Sequence, residues 1–462
     1  MKPSSFTTLE KLEEYYRRAE AALVDDLFTF IRFQTISARP GNEDQFDQCA
    51  RWICSYLERA GFETQMLGSH DRPSVLASYM AGEDLPTVLF YNHYDVQPVD
   101  PLDAWEIPPF EPVVQAGEVY GRGASDNKGQ CLYVMAALRA LVDLRGKLPL
   151  NVKVCIDAEE ESGSRGLFAA LEGGADAFSS DFLLVVDVGI PQPGRPSVSL
   201  GVRGIVTMTV EVVTSREDLH SGSHGGLAPN PIHHLVEILS SLRDPQGRIT
   251  LPGFYEDVEE PDEELIGVLD FSFDPQAYEE SVGARPTGGE KAHSPLERVW
   301  LRPTLEINGI CGGYCGPGFK TVIPARAQAK ISCRLVPNQR PQHIAQLLQS
   351  QLMERASEDV QLNVRIHEGM GEPCRCPPNS TIAKALMRAY EEVLGGRCTF
   401  RLEGGSIPVA SRLAALTGAQ TIFMGYSLPT DRAHAPNERF GLDRLRAGFL
   451  TVALGTQHLA GL

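Results

Sequence analysis

Several short apolar runs in this chain end in residues able to chelate a cation or move a proton. Val88-Leu89-Phe90-Tyr91 leads into Asn92-His93-Tyr94-Asp95, residues 151–158 lead into Glu159-Glu160-Glu161, and residues 182–186 lead into Asp187. A fourth acid, Asp126, sits in the Gly-rich stretch Gly121-Arg122-Gly123-Ala124-Ser125-Asp126-Asn127-Lys128-Gly129, ahead of a helical pattern. In open α/β sheets ligands bind in the crevice outside the carboxyl ends of the strands. Imidazole and carboxylate groups converging there are a donor set suited to zinc. Each group alone has a plainer explanation: His93 as a core histidine, residues 159–161 as a solvated charge run, Asp126 as a helix cap and Asp187 as the start of a turn. Their recurrence at equivalent positions favours one shared site.

Two other chemistries are disfavoured. The 121–129 loop does not match the GxxxxGK[ST] phosphate loop, because Lys128 is followed by Gly129. Gly163-Ser164-Arg165-Gly166 lacks the GxSxG spacing of a serine nucleophile elbow.

The elements that must position these residues follow from periodicity. Helical patterns cover residues 6–33, 43–60 and 130–144, and strand-like runs cover 87–91, 151–156 and 182–186. Alternating strands and helices predict an α/β unit with a mixed or mostly parallel sheet covered on both faces. From residue 197 the strands lengthen, as at 205–213 and 322–335, with helices expected at 231–242 (behind an Asn230 cap) and 341–353. An acidic stretch at 251–297 has weak periodicity and reads as an insertion, and residues 374–379 read as a linker. A helix at 381–394 and a strand at 421–424 then restore the α/β pattern. The expected layout is a discontinuous catalytic domain, residues 1–203 and 379–462, with residues 204–378 inserted as an α+β domain.

Composition bounds the rest. The 462 residues carry 42 basic and 60 acidic side chains, a net charge of -18 that repels nucleic acid and anionic lipid. No apolar run reaches membrane-spanning length, and the first 18 residues lack the apolar core of a signal peptide, so a cytoplasmic protein is expected. Ten cysteines without framework spacing read as reduced thiols. The close pairs Cys311/Cys315 and Cys374/Cys376 read as turn residues rather than a zinc knuckle.

The motifs around His93, Asp126 and Glu160-Glu161, together with Asp218-Leu219-His220-Ser221-Gly222 and Glu403-Gly404-Gly405-Ser406-Ile407-Pro408, resemble those of the di-zinc metallopeptidases that include carnosinase, cytosolic non-specific dipeptidase and aminoacylase. Order and spacing match over nearly the whole chain, and the long insertion resembles the dipeptidase branch. The resemblance implies a zinc exopeptidase type catalytic domain with an inserted lid and dimerisation domain. It assigns His93, Asp126 and Asp187 to one metal and Asp126, Glu161 and His434 to the other, with Asp126 bridging. Zinc is the expected metal, with manganese or cobalt accepting a similar set. Asp95 would accept the second ring proton of His93, and Glu160 would be the general base acting on a metal-bridging hydroxide. Thr321, Arg334, Ser406 and His434 would contact a small peptide substrate through its backbone and terminal carboxylate. His220 would reach the neighbouring subunit's site in a homodimer; the alternative is a structural histidine in a polar loop. His224 departs from the apolar or aromatic residue usual at its position. The implied reaction is hydrolysis of a dipeptide or small peptide with a free C-terminal carboxylate. The alternatives are an N-acyl amino acid amidohydrolase or desuccinylase and, more remotely, a non-catalytic scaffold.

Overall fold

Thr87–His93, Asn151–Asp157 and Phe182–Val186 are buried almost throughout, as strands sandwiched between helical layers must be. In the computed structural model, which describes residues 7–461, they form the middle of an eight-stranded sheet. Its order is Glu63–Gly68, Pro73–Tyr79, Asn151–Asp157, Thr87–His93, Phe182–Val186, Gln420–Met424, Ser197–Ser199 and Thr399–Arg401. Four of its seven pairings are parallel and three antiparallel, matching the mixed, mostly parallel sheet expected. Strand alternation sends Val88, Phe90, Val154 and Leu184 to one face, under the helices Leu9–Arg32, Glu43–Glu58, Lys128–Arg145, Thr381–Leu394 and Leu442–Ala460. Leu89, Tyr91, Cys155 and Val185 face the helices Arg165–Gly173 and Pro408–Thr417 on the other. Phe6, where the first helical pattern began, lies outside the described residues.

The smaller unit is an antiparallel sheet ordered Thr304–Gly312, Arg326–Leu335, Gly204–Val213 and Gln361–Ile366. Alternate residues of Arg326–Leu335 are buried against the helices Pro231–Ser240 and Pro341–Arg355. Asn230 caps the first of these through its side-chain bond to the Ile232 amide. The outer strand Thr304–Gly312 is largely exposed.

The weakly periodic insertion holds three short helices, Glu263–Val268, Pro275–Val282 and Pro295–Trp300. Leu251 and Phe254 pack in the smaller core, whereas Leu265, Leu269 and Leu301 pack in the larger one. The insertion therefore straps the two units together: the Asp270 amide donates to the Phe400 carbonyl at 2.9 Å, and Glu290 and Arg302 form a buried ion pair at 3.2 Å. Residues 374–379 are likewise not a free connection. Cys374–Arg375 pairs with Gly201–Val202 and Cys376 is buried.

Candidate metal centre

Parallel pairing puts His93 opposite Asp157 and Tyr91 opposite Val185, so the chain emerges toward Asp187 and Glu160 at the same sheet edge. His93 Nε2 lies 3.0 Å from Asp126 Oδ1 and 3.3 Å from Asp187 Oδ1. The other Asp126 oxygen, Oδ2, lies 2.8 Å from His434 Nε2, which is 3.1 Å from Glu161 Oε1. Asp126 thus presents one oxygen to each histidine. The groups His93/Asp126/Asp187 and Asp126/Glu161/His434 each bring their ligand atoms within 4.8 Å of one another. These are the two triads named from the sequence.

Neighbouring residues hold those side chains in place. His93 Nδ1 makes its hydrogen bond to the backbone carbonyl of Asp95 at 3.1 Å, with the Asp95 carboxylate at 3.3 Å. That carboxylate also accepts the amides of Glu160 (3.1 Å) and Glu161 (3.0 Å), pinning the turn that carries both. Gln97 donates to Glu161 Oε2 at 2.7 Å. Asn127 donates to Asp187 Oδ1 at 2.7 Å and is itself held by Asn92. Glu438 is fully buried and accepts the amides of Gly123, Ser125 and Asp126. Asp431 accepts the Ser125 hydroxyl at 3.0 Å and pairs with Arg444. Gln97 and Asn127 were visible only as members of motifs, and Glu438 and Asp431 carried no local signal, because their partners lie about 300 residues away in sequence. Lys128, the basic residue of the Gly-rich loop, turns inward to bond the Phe30 and Phe33 carbonyls at the end of the first helix. Burial pushes its ammonium down to about 8.

The electrostatics favour a cation. Burial raises the Asp187 and Glu161 carboxyls, with Asp126 adding repulsion to each. Burial also pushes Glu160 well above its ordinary value, and Asp187, Glu161 and Asp95 crowd it further. Burial pulls the His93 imidazole down, but Asp187, Asp126 and Asp95 outweigh it and leave it well above its ordinary value. Its bond to Asp126 and the Glu161 carboxylate beside it push His434 up to about 10. Glu161 Oε1 is buried and accepts no hydrogen bond, since a single Nε2 proton on His434 is committed to Asp126. Crowded carboxylates, two imidazoles and an orphaned acceptor fit a pair of divalent ions, whose charge would relieve this repulsion.

The remaining residues singled out from the sequence fall into two further groups. Arg334 donates to the Ser406 hydroxyl at 2.8 Å, and burial lowers its guanidinium. His220 and Thr321 are neighbours on an exposed tip: Leu219–His220 pairs with Val322–Ile323 and the Ser221 amide donates to the Thr321 carbonyl at 3.1 Å. His220 Nδ1 accepts from the Gly222 amide, and His224 ends the same short helical turn. Among the described residues, no hydrogen bond or ion pair joins either group to the cluster around Asp126.

The sequence and fold are matched by known proteins over almost their whole length. The chain is 32% identical over 454 residues to the Beta-Ala-His dipeptidase of Mus musculus, covering 93% of this chain and 91% of that protein. It is 29% identical over 471 residues to the Cys-Gly metallodipeptidase dug1 of Schizosaccharomyces pombe, covering 98% of each. Among solved structures, an M20 family metallo-carboxypeptidase from Sulfolobus solfataricus superposes with a TM-score of 0.87 at 30% identity, covering 95% of this chain and 99% of that one. The family model described as Peptidase family M20/M25/M40 matches residues 89–454, which include every residue of both triads, and the chain belongs to that family.

Proposed function

We propose that this protein hydrolyses the peptide bond of dipeptides or similarly short peptides with a free C-terminal carboxylate. The observation that carries the reading is the division of the Asp126 carboxylate between two histidine–carboxylate groups, with Glu160 facing the same cluster outside both. His93, Asp126 and Asp187 would hold one divalent ion and Asp126, Glu161 and His434 the other, zinc by preference, with manganese or cobalt suited to the same donors. Bound there, the ions supply an activated water at neutral pH and polarise the scissile carbonyl.

The side chains do the rest. Glu160 takes the proton from the attacking water and returns it to the leaving amine; burial raises its carboxyl above its ordinary value, which makes it the stronger base. Asp95 fixes the base and its neighbouring ligand by holding both amides. Arg334 commits one nitrogen to Ser406 and offers the rest of its fork to the substrate carboxylate. His220 and Thr321 serve a second copy's site: they sit on an exposed tip with, among the described residues, no hydrogen bond or ion pair to their own cluster, and the exposed outer strand Thr304–Gly312 offers an open sheet edge for a two-fold partner. We place the enzyme in the cytoplasm, where its ten unpaired thiols, seven of them buried, stay reduced.

The test is a hydrolysis panel of dipeptides, their C-terminal amides and N-acyl amino acids, run alongside Glu160→Ala with metal analysis. Dipeptides should be cleaved and their amides should not. Glu160→Ala should abolish turnover while retaining two ions per chain. Preference for N-acyl amino acids would replace the peptidase reading with an amidohydrolase one, and wild-type turnover by Glu160→Ala would end its assignment as base.

A further inference from the structure

The Gly-rich loop that carries Asp126 has no side chain of its own to satisfy its inward amides. Glu438 does so from 312 residues away. Its Oε1 accepts the Ser125 and Asp126 amides, each at 2.9 Å, and its Oε2 accepts the Gly123 amide at 2.9 Å and Arg122 Nη1 at 2.7 Å. The loop has no room to provide a substitute: Gly123 has φ +87°, and a Cβ there would come within 2.6 Å of Val96. The backbone of Glu438 joins the same arrangement, its carbonyl accepting the Gly121 amide at 3.0 Å. Four residues earlier, the same segment delivers His434 to the second oxygen of Asp126.

Of the other supporting residues, Asp95 reaches a ligand of each triad without touching Asp126, whereas Gln97 and Asn127 each serve one side. Gln97 touches Glu161, and Asn127 touches Asp187. Glu438 alone among them grips the shared ligand. We propose that Glu438 is the positioning residue that ties the two metal half-sites into one unit: its carboxylate holds Asp126 by the main chain while its own segment sets His434 against it. The inference rests on the two-ion reading above. Removing it should therefore weaken both ions together, whereas removing Gln97 should weaken only one.

The experiment is zinc titration of the full-length protein against a chromophoric chelator, with cobalt absorption spectra and the circular dichroism of the metal-free protein. Wild type, Glu438→Gln, Glu438→Asp and Gln97→Ala are compared. In Glu438→Gln an amide donor faces loop N–H groups; loss of such an outer partner typically costs ~10–100-fold in metal affinity. The expected result is that loss at both zinc equivalents, altered cobalt spectra at both, and unchanged dichroism of the metal-free protein. Glu438→Asp, which keeps the acceptors but draws them back by one methylene, should fall between it and wild type. Gln97→Ala should lose affinity at one equivalent. Binding within threefold of wild type at either equivalent in Glu438→Gln overturns the proposal, as does failure of both Glu438 variants to fold, which makes the residue structural. Fewer than two ions in the wild type would instead overturn the two-ion reading itself.

Discussion

Asp95→Asn changes almost no volume, yet it should disable the site. The wild-type carboxylate is fully buried; Oδ1 faces the Glu160 amide at 3.1 Å and His93 Nδ1 at 3.3 Å, and Oδ2 accepts the Glu161 amide at 3.0 Å. An asparagine has one acceptor where three N–H groups need two. With its oxygen at the Oδ1 position, its NH2 confronts the Glu161 amide; flipped, it confronts Glu160 and His93. The cheaper orientation still leaves one buried donor unsatisfied, about 1–3 kcal/mol. At about 1.4 kcal/mol per tenfold, that is roughly 5–150-fold if it is expressed in ligand placement. The bracket overlaps the ~10–100-fold typical of losing a metal ligand's outer partner. The expected outcome is therefore zinc affinity lowered by one to two orders of magnitude, and kcat depressed even at saturating zinc, because the same turn carries Glu160. Chelator competition measures the first and steady-state kinetics the second. Zinc affinity within threefold and kcat within twofold of wild type would refute the reasoning.

Two further outcomes follow from the geometry. If His220 serves a partner's site, mixing inactive His220→Ala with inactive Glu160→Ala subunits should restore roughly a quarter of wild-type activity, since one site in each mixed dimer is whole; no recovery after verified subunit exchange would show that His220 does not act in a partner's site. Burial, with Asp95 adding repulsion, pushes Asp157 up from its ordinary 3.8 to about 6. A carboxyl raised in the folded state stabilises the fold below its unfolded value and loses that contribution as pH rises through about 6. Asp157→Asn should therefore gain on wild type between pH 4 and pH 7, by about 3 kcal/mol at most, in urea denaturation of chelator-treated protein. A pH-independent difference would contradict it.

The triads were legible because strand runs and the acids after them are local, while parallel register does the converging. His93, Glu160, Glu161 and Asp187 each follow a readable strand. His434 does not, and gained its meaning only from the other ligands. Glu438 and Asp431 were illegible in principle, since nothing in their neighbourhood says that they will satisfy a loop some 300 residues earlier. The sequence points to the Asp95 carboxylate as a partner of the His93 ring; it does not reveal that the main-chain carbonyl shares that ring nitrogen or that the carboxylate also organises the next turn. The 251–297 stretch showed weak periodicity because its helices are only six to eight residues long. The Ser294/Glu297 capping box was the signal that would have marked one of them. Its attachment to both cores depends on Leu265, Leu269 and Leu301, whose destinations no local pattern reveals.

The order of strands has a consequence for biogenesis. Gln420–Met424 inserts beside Phe182–Val186, which the ribosome makes some 240 residues earlier, and the whole four-stranded sheet is synthesised in between. The smaller unit can therefore be complete while the larger still lacks an interior strand and the largely buried helix Leu442–Ala460. His434 and Glu438 arrive in that same late segment, so a nascent or truncated chain can display His93, Asp126 and Asp187 but not the paired centre. Hydrolytic capacity would switch on only after the chain has closed its own sheet, which spares the translating cell an unfinished peptidase.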